Sequence, residues 1–116
     1  MKKLILTTVL LLTILTLQAQ QHFTGDWVCN ESSYITTILV NKKGDVDISN
    51  YSFAENKTQK ESVLQASSVS VKTHIYNKRN GYRIYIEYIR IDNNTLLCKY
   101  TGDFVGNIIK TRLRLN

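Results

Sequence analysis

From Val63 onward the chain alternates. Val69, Val71, Thr73 and Ile75 fall on one side of an extended segment, with Ser70, Lys72, His74 and Tyr76 on the other. Tyr82, Ile84, Ile86 and Tyr88 alternate with Arg83, Tyr85 and Glu87, and Leu96, Cys98 and Tyr100 share one face. Period-two alternation marks a strand with one buried face. The last segment reads the same way, with Ile109, Thr111, Leu113 and Leu115 inward and Lys110, Arg112 and Arg114 toward water. Earlier, Val46 and Ile48 oppose Asp45, Asp47 and Ser49, which predicts another half-buried strand.

The breaks between these segments are turn chemistry. The chain has no proline, so its turns rest on Gly, Asn and Asp. Asn30-Glu31-Ser32-Ser33 separates a short first strand from a second over residues 34–41, and Asn41-Lys42-Lys43-Gly44 predicts a tight hairpin turn with glycine at positive φ. Asn80-Gly81 is a strong hairpin signal, and Asp92-Asn93-Asn94 turns the chain again. The alternation slips at residues 89–91, which predicts a bulge. Residues 53–62 are polar and read as a long surface loop or one or two turns of helix continuing toward Gln65; a lid over a barrel mouth is the functional alternative. The sum is an all-β, antiparallel up-and-down meander of seven to eight short strands. It is expected to close, or nearly close, as a small barrel, with a sandwich as the alternative. Closure is preferred because it removes sheet edges. In that register Trp27, Cys29 and Cys98 point inward.

The first residues stand apart from this pattern. Met1-Lys2-Lys3, an apolar run from Leu4 to Leu17 and the small residue of Gln18-Ala19-Gln20 are ordered as in a secretory signal peptide. The apolar run falls short of the roughly 20 residues of a spanning helix, which disfavours an uncleaved anchor. The expected organisation is a leader over residues 1–19, a single barrel domain over residues 20–116 with no transmembrane segment, and a secreted or periplasmic location in a bacterium. Without Lys2 and Lys3, thirteen Lys and Arg stand against nine Asp and Glu, a net charge of +4. The basic residues come in scattered pairs, the pattern of solvated strand edges, and no nucleic-acid recognition motif accompanies them. Cys29 and Cys98 invite a disulfide in an oxidising compartment. If the strands close in order, however, the two lie on strands two apart, so two free thiols are the alternative. Two Cys with His22 and His74 match no zinc spacing, so no metal is expected.

Thr24-Gly25-Asp26-Trp27, then Ser33-Tyr34-Ile35-Thr36, then Val40-Asn41-Lys42-Lys43-Gly44 and Tyr51 resemble the opening of avidin and its relatives. Lys60-Glu61-Ser62-Val63-Leu64 also resembles an avidin segment. More broadly, Gly-x-Trp on a first strand is similar to the calycin group, which includes the lipocalins. The likeness covers about 40 residues well and the C-terminal half only in architecture. It implies that Trp27 closes the barrel floor beneath a basic side chain from a late strand, with Arg112 or Arg114 as candidates. It also implies ligand contacts at Ser33 and, with a one-residue shift, at Tyr51. The asparagine expected at the ligand falls on Cys29, and the later tryptophans that wall the avidin pocket have no counterpart because Trp27 is the only tryptophan. Biotin is therefore not the expected ligand.

No catalytic constellation can be assembled. His74 lies on a polar strand face, and Asp45 and Asp47 flank a turn; acid–base work needs a perturbed pair in a cleft. The expectation is a non-enzymatic, lipocalin-like protein that binds a small apolar ligand inside the barrel without a cofactor. Its expected ligand contacts are Ser33, Tyr51, Tyr82 and Ile84. The alternative is a protein-interaction module, such as a periplasmic inhibitor, immunity or surface-assembly protein, using an exposed tyrosine-bearing face that includes Tyr76 and Tyr85.

Overall fold

Local turn chemistry sets the hairpins. The side chain of Asn41 accepts hydrogen bonds from the backbone N–H of Lys43 and of Asp45, both at 2.9 Å, and Gly44 takes φ of 87°. Asn77 accepts from the Arg79 N–H at 3.0 Å, and Gly81 takes φ of 73°. These Asx turns reverse the chain at little cost and hold the flanking strands in register. The structure, a computed structural model, describes residues 23–29 and 32–113. It has eight strands: β1 (Gly25–Val28), β2 (Tyr34–Val40), β3 (Val46–Ser52), β4 (Lys57–Ala66), β5 (Ser70–Asn77), β6 (Tyr82–Asp92), β7 (Thr95–Gly102) and β8 (Gly106–Arg112).

Each strand pairs antiparallel with the next, and β8 returns to β1 through Trp27↔Arg112 and Val28↔Thr111. The meander is therefore a closed barrel and not a sandwich. Its odd-to-even connections lie at one rim and its even-to-odd connections at the other. The second rim is closed. Phe23 and Trp27 are fully buried there, and the indole N–H of Trp27 donates to the Phe23 carbonyl at 2.9 Å. The guanidinium of Arg112 lies 4.3 Å above the Trp27 ring, donating from Nη1 to the Thr24 carbonyl at 2.6 Å and from Nε to the Asn93 carbonyl at 3.0 Å. Gly25 explains the spacing of the motif: it adopts φ of +146°, and a Cβ there would come within 2.4 Å of Arg112 Nη1. Glycine is needed so that the cation can cover the indole. Arg112 thus holds the floor position; Arg114 lies outside the described residues, as do the expected leader and Gln20.

Three sequence expectations are corrected. First, residues 57–62 are neither loop nor helix: β4 begins at Lys57, and the connection shrinks to a turn over residues 53–56, with Asn56 at φ of 50°. Second, β8 has the opposite phase to the one expected. Directly paired residues share a face, so the pairing of Arg112 with buried Trp27 and of Ile108 with buried Cys98 turns Ile108, Lys110 and Arg112 inward. Ile109 is left 48% exposed, outside the barrel. Third, Cys29 and Cys98 are free thiols. The strand β8 separates β1 from β7, and two inter-strand spacings come to about 10 Å, beyond the Cα reach of a disulfide. The bulge expected near residues 89–91 is present as a register shift between Arg90 and Asp92, and a second, unanticipated shift lies between Val63 and Gln65 in β4.

Candidate functional site

The alternation of the strands sorts the interior into three levels. At the closed rim, Phe23, Trp27, Ile38, Ile48, Val71 and Leu96 pack into a dry core. The apolar area these side chains remove from water holds that end together. At the open rim lies a cavity of about 330 Å³. An eight-stranded barrel has just enough interior to be filled by side chains or to hold one small molecule, and here it does the first at one end and leaves space at the other.

Between the two levels sits a polar chain. Lys110 Nζ donates to Thr36 Oγ1 at 2.6 Å, and Thr36 Oγ1 donates to Asn50 Oδ1 at 2.6 Å. Asn50 Nδ2 donates to Glu61 Oε2 at 2.5 Å. Glu61 Oε1 accepts from Thr73 Oγ1 at 2.6 Å, and the hydroxyl of Tyr88 lies 2.8 Å from both carboxylate oxygens. Glu61 is only 6% exposed and Lys110 only 7%. Burying a charge is costly unless it is paired and hydrogen-bonded. The two opposite charges are linked through the neutral Thr36 and Asn50, and Lys110 Nζ also lies 5.9 Å from the Tyr88 ring centre. Burial, reinforced by the Glu61 charge, holds the Tyr88 phenol well above its ordinary pKa, so Tyr88 is a fixed donor.

The cavity stands directly on this chain. Asn50, Glu61 and Lys110 line its base; Ile75, Ile84, Ile86, Ile108 and Tyr100 form the walls. The rim carries Cys29, Ser32, Tyr34, Gln59, Tyr82 and Phe104. Burial raises the Tyr100 phenol above its usual value and pushes the Cys98 thiol up to about 12. Both are therefore neutral at physiological pH, and Cys98 is a poor nucleophile. The pocket is thus apolar on its sides and charged at one end, a form suited to holding a molecule.

Of the ligand contacts expected from sequence, Tyr82 and Ile84 line this cavity. Ser33 and Tyr51 do not; their immediate neighbours Ser32 and Asn50 do. The Tyr51 hydroxyl donates to Asn56 Oδ1 at 2.5 Å outside the barrel, and its ring meets Phe53 edge-on at 5.1 Å. A one-residue shift along a strand exchanges the two faces, so the residue before Tyr51 takes the inward position. Trp27 is at the opposite end, in the floor. Sequence reasoning missed Asn50, Glu61 and Lys110 entirely. For Glu61 the only sequence signal is that polar residues occupy consecutive odd positions in β4, Gln59 and Glu61, ahead of Val63, and Asn50 and Lys110 carry none.

The outer wall carries an aromatic strip. His74 stacks on Tyr85 at 4.8 Å and on Tyr76 at 6.4 Å, and Arg83 lies 4.8 Å over the Tyr76 ring. Tyr76 is 44% exposed and Tyr85 40%. Among the described residues no cluster of three or more His, Cys, Asp or Glu is placed to hold a metal ion, and no helix is long and apolar enough to cross a membrane. No family profile, curated protein or solved structure matches the chain.

Proposed function

We propose that this barrel is a non-enzymatic, lipocalin-like binding protein that takes a small, largely apolar molecule into the cavity at its open rim. The observation that carries the reading is the division of the interior: one end is packed solid, and the other keeps about 330 Å³ of space over a buried charged base. That volume sits at the lower end of the range for small-molecule sites. The Gly25-Trp27-Arg112 floor supports kinship with the calycin group. The leader-like first 19 residues support a secreted or periplasmic setting, where a carrier would meet ligands from outside the cell.

The test is native mass spectrometry of the purified protein beside an Ile84→Trp variant, whose larger side chain enters the cavity from its wall. A small molecule carried by the wild type and lost from the variant is expected. A wild type that carries nothing, and that takes up none of a panel of small apolar compounds, contradicts the reading. A second reading has its own support in the exposed Tyr76 and Tyr85, which stack on half-buried His74: a protein partner bound on the outer sheet face. It predicts loss of partner capture on Tyr85→Ala with the cavity unaffected.

A further inference from the structure

Building on the cavity reading, we infer that the molecule it holds is an amphipathic carboxylate, its apolar tail along the isoleucine wall and its carboxylate on Lys110 and Tyr100. The argument is a count of donors and acceptors at the cavity base. Glu61 is already occupied: one oxygen accepts from Thr73, the other from Asn50, and the Tyr88 hydroxyl approaches both. An ionised carboxylate has about four acceptor sites, and little capacity is left for a ligand donor. Lys110 is the reverse case. An ammonium carries three donors, and its one hydrogen bond among the described residues goes to Thr36 Oγ1. The Lys110 side chain is nevertheless buried, the residue being only 7% exposed, and it lines the cavity.

Tyr100 adds a second donor from the cavity wall. It lines the cavity, its ring is held edge-on to Phe104 at 5.4 Å, and burial keeps its hydroxyl protonated. No described residue accepts a hydrogen bond from that hydroxyl. The cavity therefore offers unused donors on Lys110 and Tyr100, while the acceptor sites of Glu61 are largely taken. An ammonium head would meet Lys110 as a like charge and find Glu61 taken. A hydroxyl head can accept one bond but brings no charge to Lys110. A carboxylate satisfies the ammonium and the phenol together through charge-assisted bonds, which are about twice as strong as neutral ones. Ile75, Ile84, Ile86 and Ile108 then give the tail an apolar wall without further polar demand.

Isothermal titration of the full domain at neutral pH with octanoate, octanol and octylamine tests this. The three probes share a tail and differ only in the head. Octanoate is expected to bind on the order of tenfold or more tighter than octanol, with octylamine the weakest. Lys110→Met is expected to bring octanoate down to the level of octanol, and Tyr100→Phe to weaken octanoate several-fold. The ranking of the three probes on the wild type stands on its own should Lys110→Met not fold. Equal binding of octanoate and octanol, or tightest binding of octylamine, overturns the carboxylate assignment and leaves the cavity reading intact. Binding of none of the three overturns both.

Discussion

The buried Glu61–Lys110 chain makes a quantitative demand on stability. Removing Glu61, as in Glu61→Leu, strands the hydroxyls of Thr73 and Tyr88 and the amide of Asn50, and leaves Lys110 as an uncompensated buried cation. Breaking one side of a buried ion pair costs about 3–5 kcal/mol, much of it the desolvation of the survivor. Lys110→Met is expected to cost a similar amount, because Glu61 then keeps its charge without a counter-charge. The double variant removes both charges, and replacing a whole buried pair by apolar groups is often near neutral. Its cost reduces to the stranded hydroxyls, about 1–3 kcal/mol. The coupling between the two sites, the two single costs less that of the double variant, therefore comes to roughly 3–9 kcal/mol, well outside the few tenths seen for independent positions. Equilibrium urea unfolding, followed by the emission of Trp27, measures all four corners of this cycle. Trp27 suits the assay because it is the only tryptophan and is fully buried under Arg112. Costs that add within about 0.5 kcal/mol would show that the two charges do not sense each other, and would refute the linkage through Thr36 and Asn50.

The other predictions concern the floor, the thiols and the pH profile. Gly25→Ala puts a Cβ within 2.4 Å of Arg112 Nη1 at φ of +146°, so it should destabilise by about 1–3 kcal/mol and alter Trp27 emission as the guanidinium is displaced; unchanged emission and stability would refute the role given to that glycine. Mass analysis with and without reductant should show no gain of two protons, and a thiol reagent at pH 8 should modify Cys29 ahead of the buried Cys98; a mass shift would re-establish a disulfide. Cys98 is held neutral when folded, up to about 12, against 9.0 for the free thiol, so the unfolded chain ionises first. Stability is then complete below pH 9 and falls as pH rises toward 12, and Cys98→Ala should make that alkaline loss shallower. Asp92 behaves in the opposite sense: the Asn94 backbone N–H, first among its partners, lowers its pKa. Its contribution is present above the ordinary carboxylate range and is lost as pH falls through the folded value, so Asp92→Ala should flatten the acid side of the profile.

Much of the fold was legible, and the errors share a cause. In β5, β6 and β7 the inward positions are occupied mostly by Val, Ile, Leu, Tyr and Cys, so hydrophobic alternation reports the true phase. The two strands misread are β4 and β8, which supply Glu61 and Lys110. A charged residue facing inward breaks the equation of polar with outward on which a period-two reading depends. In β8, adjacent Ile108 and Ile109 make either phase plausible, and only pairing with β1 and β7 decides it. The same interior chain hid the candidate site, since Asn50 looks like a solvated residue beside the more conspicuous Tyr51. Each polar side chain is ordinary alone; what sets this group apart is its meeting across β2, β3, β4, β5, β6 and β8, which sequence spacing does not encode. The Trp27 floor and its basic cover were readable only through the likeness to the calycin group; why a glycine stands at position 25, beside Arg112 Nη1, became clear only in the structure.

The measurement closest to the central claim is a backbone and methyl NMR titration with octanoate. The account predicts that the resonances of Ile84, Ile86, Tyr100, Ile108 and Lys110 shift and saturate, while those of Tyr76 and Tyr85 on the outer face and of Trp27 in the floor stay in place. Shifts confined to the outer tyrosines, or none at any concentration short of octanoate self-association, would contradict it.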